Sequence, residues 1–376
     1  MKIKNQRNFR TRILICGKFL IISFIFYCLC GLIITLLTRE KPSEVNRCYM
    51  DAISIEVFAQ NRSLIEDGDP IPLEDVLLAK DKPVPGKTIF LLETSCACSD
   101  PQFDLLTLNS RQACAVESAA LHNPNLQVFV LFVCPTFRHQ SDPITDAIIS
   151  YKNVKLRHVN LWRFAEGTPV EDWVKKDDLF RSRYLVNNIS NLLRLLMLYR
   201  YGGIYMDMDV VVLRSFEDET VNFLCPESKI SITNAVIGLK PKGFGHKLGE
   251  LFLRDFQNNY NGDIWTHNGP KSLSRVMSKI CEVNNVSLML DRHQCHGIKL
   301  FPINVFYEIR VDQWTHFFDP KLANETLERL NNSYLTHLWN SISHKRSLRV
   351  DSDAAYIQLA KQNCPKVLDA TSKRFD

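Results

Sequence analysis

The chain has 376 residues, with 46 basic against 41 acidic side chains and a formal charge of +5. Part of that positive balance sits at the extreme N-terminus, and no cluster of basic and aromatic side chains follows it, so nothing points to nucleic acid. Neither an internal repeat nor a low-complexity tract is visible, which excludes a repeat array or a scaffold of biased composition.

Residues 19–37 contain no charged side chain, and the apolar character extends back to Ile13 with Lys18 as the single interruption. That stretch can span a bilayer. A secretory signal has a shorter apolar region, roughly 7–15 residues, and a small-residue cleavage site, which residues 35–40 do not offer. Lys2, Lys4, Arg7, Arg10 and Arg12 precede it, so the positive-inside rule predicts a cytosolic tail at 1–12, a signal-anchor at 13–38 and a lumenal remainder. The chain reads as a single-pass type II membrane protein.

Residues 39–86 lack a strong apolar period and contain Pro70, Pro72, Pro83 and Pro85, so they read as a lumenal stem, with a single globular domain at 87–376. Five sequons, at Asn61, Asn188, Asn285, Asn324 and Asn331, suit a lumenal body; the one at Asn188 falls in a packed helix, where a glycan would clash. Cys16, Cys28 and Cys30 lie in or beside the span, leaving an odd number of cysteines in an oxidising compartment. Cys281 and Cys295 bracket a short polar loop and form the preferred disulfide, whereas Cys96 and Cys98 are too close together to suggest a partner.

From Lys87 onward, strand and helix patterns alternate: strand 88–92, helix 111–122, strand 127–133, strand 154–156, helix 186–199 and a further strand ending in Asp207. This α/β order predicts a mostly parallel, Rossmann-like sheet flanked by helices. In the run from Tyr201 to Leu213, alternation predicts Asp207 and Asp209 on one strand face, with Met206 and Met208 on the other. Two carboxylates in an apolar strand repel and lose hydration. A hard divalent cation answers that cost, and a bound diphosphate completes its shell. Asp67/Asp69 and Asp351/Asp353 match the same pattern, but prolines surround the first pair and the second opens a polar stretch that can cap a helix. Gly202 and Gly203 supply the turn after the helix and allow close backbone approach to a ligand.

Polar residues interrupt other apolar patterns. Ser190, Asn191 and Arg194 share one stripe of a helix that is apolar almost all round. Arg194 either pairs with a carboxylate of the fold, Asp207 included, or, with Asn191, contacts sugar or ribose hydroxyls. The loop 259–270 ends in Asn268-Gly269-Pro270, where a helix N-terminus offers free N–H groups to an anion, with His267 and Asn268 as contacts. Residues 334–340 read as a strand with Leu335, His337 and Trp339 on one face; His337 is either a satisfied core residue or a ligand to the metal or diphosphate.

Six blocks, at 90–95, 116–120, 202–209, 268–270, 306–307 and 337–340, resemble in content and order the α-1,4-glycosyltransferase family typified by lactosylceramide 4-α-galactosyltransferase and α-1,4-N-acetylglucosaminyltransferase. The resemblance implies a GT-A fold, a UDP-sugar donor, manganese, a Golgi membrane location, retention of configuration, and homo- or hetero-oligomers with other transferases. Carried onto this chain, Asp207 and Asp209 are the catalytic pair. Asp209 binds Mn2+, with His337 as a further ligand, while Asn191, Arg194, Tyr205, Asp207, His267, Asn268 and Gly269 face the donor. The family usually has an aspartate where Asn191 stands, and Asn268 is one carbon shorter than the family's glutamine. The implied reaction moves galactose or N-acetylgalactosamine in α-1,4 linkage to the galactose terminus of a glycosphingolipid such as lactosylceramide. The metal would neutralise charge on departing UDP, by front-face displacement or by double displacement through a carboxylate. Transfer of N-acetylglucosamine or N-acetylgalactosamine to other glycolipids or O-glycans is the alternative, and a catalytically silent sugar-binding protein the remote one.

Overall fold

A computed structural model describes residues 71–96, 104–176, 178–219, 222–290 and 295–376. The expected tail and anchor, most of the expected stem, Asn61 and the Asp67/Asp69 pair lie outside these residues. Among the described residues, no helix is long and apolar enough to cross a membrane.

Strands β1 (Thr88–Glu93), β2 (Gln127–Phe132), β3 (Val154–His158) and β4 (Gly203–Met206) run parallel, with Ile89 opposite both Val128 and Ile204, and Val128 opposite Val154. Residues 89–92 of β1 and 128–132 of β2 are apolar without interruption because both faces are covered. Ile89, Leu91, Val128 and Val130 point into one core with helix α1 (Ser110–His122), while Phe90, Leu92, Phe129 and Leu131 point into a second core with α3 (Leu185–Tyr201). β3 lies at the sheet edge and alternates buried with half-buried residues. The short helix α2 (Pro143–Ile149) packs on the α1 side.

Beyond β4 the topology changes. Strands β5 (Val210–Val212), β6 (Phe223–Pro226), β7 (Ile232–Leu239), β8 (Lys299–Leu300) and β9 (Leu335–His337) follow, and the seven-stranded sheet has the order β8-β6-β7-β4-β1-β2-β3. β7 is antiparallel to both β4 and β6, so the sheet is mixed. β5 leaves it and pairs antiparallel with β9 in a separate two-stranded sheet. Helices α4 (Phe244–Asn258) and α5 (Pro270–Cys281) pack against α3 and β7 respectively.

Gly202 and Gly203 have φ of 60° and 84°. A Cβ on Gly203 would lie 2.3 Å from the Thr88 carbonyl oxygen, and one on Gly202 2.5 Å from the Pro241 nitrogen. The close approach they allow is to neighbouring backbone, not to a ligand.

The stem expectation fails at its end. Ile71–Pro72 pairs with Thr136–Arg138, Leu73, Val76 and Ala79 are buried, and Asp75 pairs with Arg163 at 3.1 Å. This segment covers the edge of β3, where Val76 N–H donates to the His158 carbonyl and His158 N–H to that of Glu74. Its partners lie some sixty residues or more along the chain, so its local composition did not reveal them.

Disulfides join Cys281–Cys295, as expected, together with Cys96–Cys134 and Cys114–Cys364, while Cys225 is buried and free. Asn285, Asn324 and Asn331 are exposed. Asn188 is wholly buried, its amide donating to Ser182 Oγ and accepting from Asn268.

Candidate active site

β4 ends at Met206. Asp207 extends its ladder by donating its N–H to the Ala235 carbonyl of β7, and then the chain turns at Met208 and Asp209 into β5. The two carboxylates therefore do not share a strand face, as alternation predicted. They converge because the chain changes sheets between them, and β9 brings His337 opposite Val210 to the same place.

Asp207 Oδ1 accepts from the Tyr205 hydroxyl at 2.6 Å and faces Arg194 Nη1 at 3.0 Å. Burial pushes the Asp207 carboxyl above its ordinary value; Arg194 opposes that push and Asp209 adds to it. The side chain keeps 27% of its surface exposed, so water on the open side moderates the effect. Burial also raises the Tyr205 hydroxyl well above its ordinary value, which keeps it protonated as a donor.

Asp209 Oδ2 accepts the Asn340 N–H at 2.8 Å at the start of the short helix α6 (Asn340–Ser343), and its Oδ1 lies 3.3 Å from His337 Nε2. His337 Nδ1 accepts the Trp339 N–H at 3.1 Å, a bond that places the ring proton on Nε2 facing Asp209. Trp339 is left-handed, with φ 54°, because the strand has ended at His337, so it does not share a strand face with His337. Its ring instead packs back, tilted by 51°, at 4.5 Å from the His337 ring, and Tyr307 contacts both at 5.8 and 5.6 Å.

Asp207, Asp209 and His337 are, among the described residues, the group whose ligand atoms gather as a metal site would need, within 4.8 Å of one another. Two carboxylates and an imidazole suit a hard to borderline divalent cation. Residues 109–230 match the glycosyltransferase sugar-binding region containing the DXD motif, and residues 241–371 the alpha 1,4-glycosyltransferase conserved region. Rat lactosylceramide 4-alpha-galactosyltransferase is 32% identical over 75% of this chain and 74% of its own length. The chain belongs to the α-1,4-glycosyltransferase family. It is a sugar-nucleotide-dependent hexosyltransferase. The human galactosyltransferase is 30% identical over 77% of this chain and 78% of its own, and human alpha-1,4-N-acetylglucosaminyltransferase 27% over 68% and 74%. Among solved structures, PaToxG glycosyltransferase aligns over 77% of this chain and 90% of its own at 13% identity and a TM-score of 0.36, a likeness too loose to carry detail.

Within this transferase, Arg194 takes the internal option. Its Nε and Nη2 donate to the Ser190 carbonyl and hydroxyl, Nη1 to the Asn234 carbonyl at 2.7 Å and to Asp207, and the guanidinium lies 4.4 Å from the Tyr205 ring centre. Asn191 Oδ1 accepts from Asn234 Nδ2 at 2.7 Å. Asn234 was missed from sequence, although an amide between Thr233 and Ala235 in the fully buried β7 was the available signal.

The loop residues are also turned inward. Asn268 is buried; its amide donates to Asn188 Oδ1 and the Asn261 carbonyl and accepts the Asn261 N–H. His267 Nε2 meets the Asn259 carbonyl at 2.8 Å. Gly269 abuts the amides of Asn191 and Asn234, where a Cβ would lie within 3 Å of either. The α5 amides expected to be free are occupied: Lys271 N–H donates to Thr266, and Ser272 and Leu273 N–H to Gly269. Asn234 links this group to the Asp207 side, since its carbonyl accepts from Arg194. The block at 116–120 supports the same site from below: Ser118 Oγ accepts the Val212 N–H of β5, and buried Glu117 accepts the Lys366 and Val367 amides at the start of the helix Pro365–Ala370.

Proposed function

We propose that this transferase is a retaining, GT-A-type enzyme of the Golgi membrane. It moves galactose, or N-acetylgalactosamine, from UDP in α-1,4 linkage to a galactose-terminated glycosphingolipid. The observation that carries the reading is the Asp207/Asp209/His337 cluster just beyond the carboxyl end of β4, in the crevice where open α/β sheets bind ligands. Asp209 and Asp207 would hold Mn2+ there, with His337 joining through Nε2 once that nitrogen gives up its proton, and the ion would supply charge neutralisation to a leaving diphosphate. The protein's own contribution is orientation. The Asn340 amide fixes one oxygen of Asp209, while Arg194 and Tyr205 fix Oδ1 of Asp207 and leave Oδ2 to the ligand side. The acceptor hydroxyl passes its proton to the leaving phosphate oxygen, which asks no base of the protein. The apolar run at 13–38 with basic residues before it, the exposed sequons and the disulfides support a lumenal catalytic domain.

The test is transfer by the full-length protein in lipid nanodiscs with Mn2+, comparing UDP-galactose, UDP-N-acetylgalactosamine and UDP-N-acetylglucosamine on a galactose-terminated glycolipid, with the product anomer read by NMR. UDP-galactose is expected to give the highest kcat/KM and an α-linked product. Preference for UDP-N-acetylglucosamine selects the alternative donor, and no transfer from any of the three overturns the reading.

A further inference from the structure

A cavity of about 440 Å³ is walled by Val286, Leu290, Phe301, Ile303 and Tyr307, with the ion pair of Glu308 and Arg329 among its polar lining. Tyr307 belongs to this cavity and to the metal cluster at once, since its ring packs on His337 and Trp339. Its hydroxyl is engaged with Thr233 Oγ1 at 3.2 Å, so what it offers a ligand is ring carbon. Neither arginine on the lining is left for a nucleotide diphosphate: Arg329 is committed to Glu308 and Gln313, and exposed Arg310 pairs with Asp312. Leu290, by contrast, stands 46% exposed on the lining, an apolar surface that a hydrocarbon would cover.

An acceptor whose sugar stands at the carboxylates must lead the rest of its length away from them, and this cavity begins one side chain from the cluster. We infer that it takes the hydrocarbon side of a lipid-linked acceptor, reached through the inner sugar that joins the lipid to the galactose receiving the transferred hexose. The inference rests on the transferase reading above and assigns the acceptor's aglycone to a named surface.

Alkyl glycosides separate the aglycone from the sugar. With the full-length protein in nanodiscs, the hexyl glycoside of a galactose-terminated disaccharide is expected to exceed the methyl glycoside in kcat/KM by on the order of tenfold, since extra methylenes leave water. Leu290→Ser and Ile303→Ser are expected to cut that ratio by at least threefold, while the KM for the UDP-sugar and the rate on the methyl glycoside stay within twofold. The Leu290 variant changes an exposed side chain and spares the core. A native ratio near one, or a ratio that survives both substitutions, overturns the assignment. Should neither glycoside be glycosylated, the proposed acceptor fails first. Calorimetric binding then decides: tighter hexyl than methyl binding that is lost in Leu290→Ser upholds the cavity, and equal binding overturns it.

Discussion

Two polar clusters stand a short way apart in this protein, and in sequence they look alike: side chains with hydrogen-bonding groups set into apolar runs. Around Asn188, Asn261 and Asn268 the account closes. The side-chain amides of Asn188 and Asn268 each donate and accept: Asn268 binds Asn188 and the Asn261 backbone, while Asn188 binds Ser182. Around Asp207 and Asp209 it cannot close, because carboxylates only accept. Arg194, Tyr205, Asn340 and His337 supply donors, yet Asp207 Oδ2 has no partner among the described residues. Amides can saturate one another, whereas a carboxylate pair needs a cation from outside. Polarity inside an apolar pattern thus marks burial in both places, and residue type decides which cluster has capacity left for a ligand.

The sharpest way to break this contrast is Asp209→Asn. Removing one acceptor charge is expected to lower kcat/KM for transfer by about 10³-fold or more. The melting temperature should hold or rise, because the carboxylate repulsion is relieved. Transfer assays beside calorimetry check both halves, and near-native manganese-dependent turnover would remove Asp209 from the site.

That contrast also explains what could be read in advance. The strands at 88–93 and 127–132 and the helices at 110–122 and 185–201 follow from local apolar runs and periods, and they emerge within a few residues of expectation. Asp207 and Asp209 stood out because two charges in an apolar run are costly wherever the chain turns. The reason they meet was not legible: alternation assumes a continuous strand, and only the pairing of β5 with β9, more than a hundred residues on, pulls Asp209 out of line. Separation along the chain likewise hid the Cys114–Cys364 bridge, the packing of residues 71–86 and the role of Asn234. Arg194 and Asn268 were visible as misplaced polar groups, but whether their partners lay inside or outside the protein is a property of tertiary closure.

Breaking the closed cluster should do the reverse of Asp209→Asn. Asn268→Leu leaves the Asn261 N–H and carbonyl and Asn188 Oδ1 without partners in a buried place, at a cost of about 3 kcal/mol. Denaturant titration should show that loss, while the KM for the UDP-sugar in the folded fraction stays within about threefold. A donor KM that rises far more than stability falls would put Asn268 in the donor pocket.

Arg194 joins the two kinds of cluster, and Arg194→Met tests the join. Losing the bonds to Ser190, Asn234 and Asp207 should destabilise by about 2 kcal/mol, less than a fully buried pair because Asp207 keeps an open side. Burial already holds the Asp207 carboxyl above its ordinary value, and Arg194 is the main influence pulling it down. Without that influence the folded-state value rises further, so ionisation is completed at higher pH and the acid limb of kcat/KM moves up. For stability the sign runs the other way. A raised carboxyl favours the protonated native state, so stability falls as pH climbs from the ordinary carboxylate range through the folded-state value, and it falls further in the variant. An unmoved acid limb would mean that Asp207 does not have to be ionised for transfer.

The smallest effect is expected where the sequence suggested a large one. The family resemblance puts an aspartate where Asn191 stands, and restoring that charge looked like a route to a different donor. In the folded protein Asn191 Oδ1 is already spent on Asn234 Nδ2, and Gly269 closes over the pair. Asn191→Asp retains that acceptor, and the added charge lies between Asn234 and Gly269. The ratios of kcat/KM among UDP-galactose, UDP-N-acetylgalactosamine and UDP-N-acetylglucosamine should therefore change by less than about threefold, below the 1–3 kcal/mol expected where a site reads a sugar substituent directly. A tenfold change in those ratios with folding intact would place Asn191 in the donor pocket, and a buried amide would then be reading sugar after all.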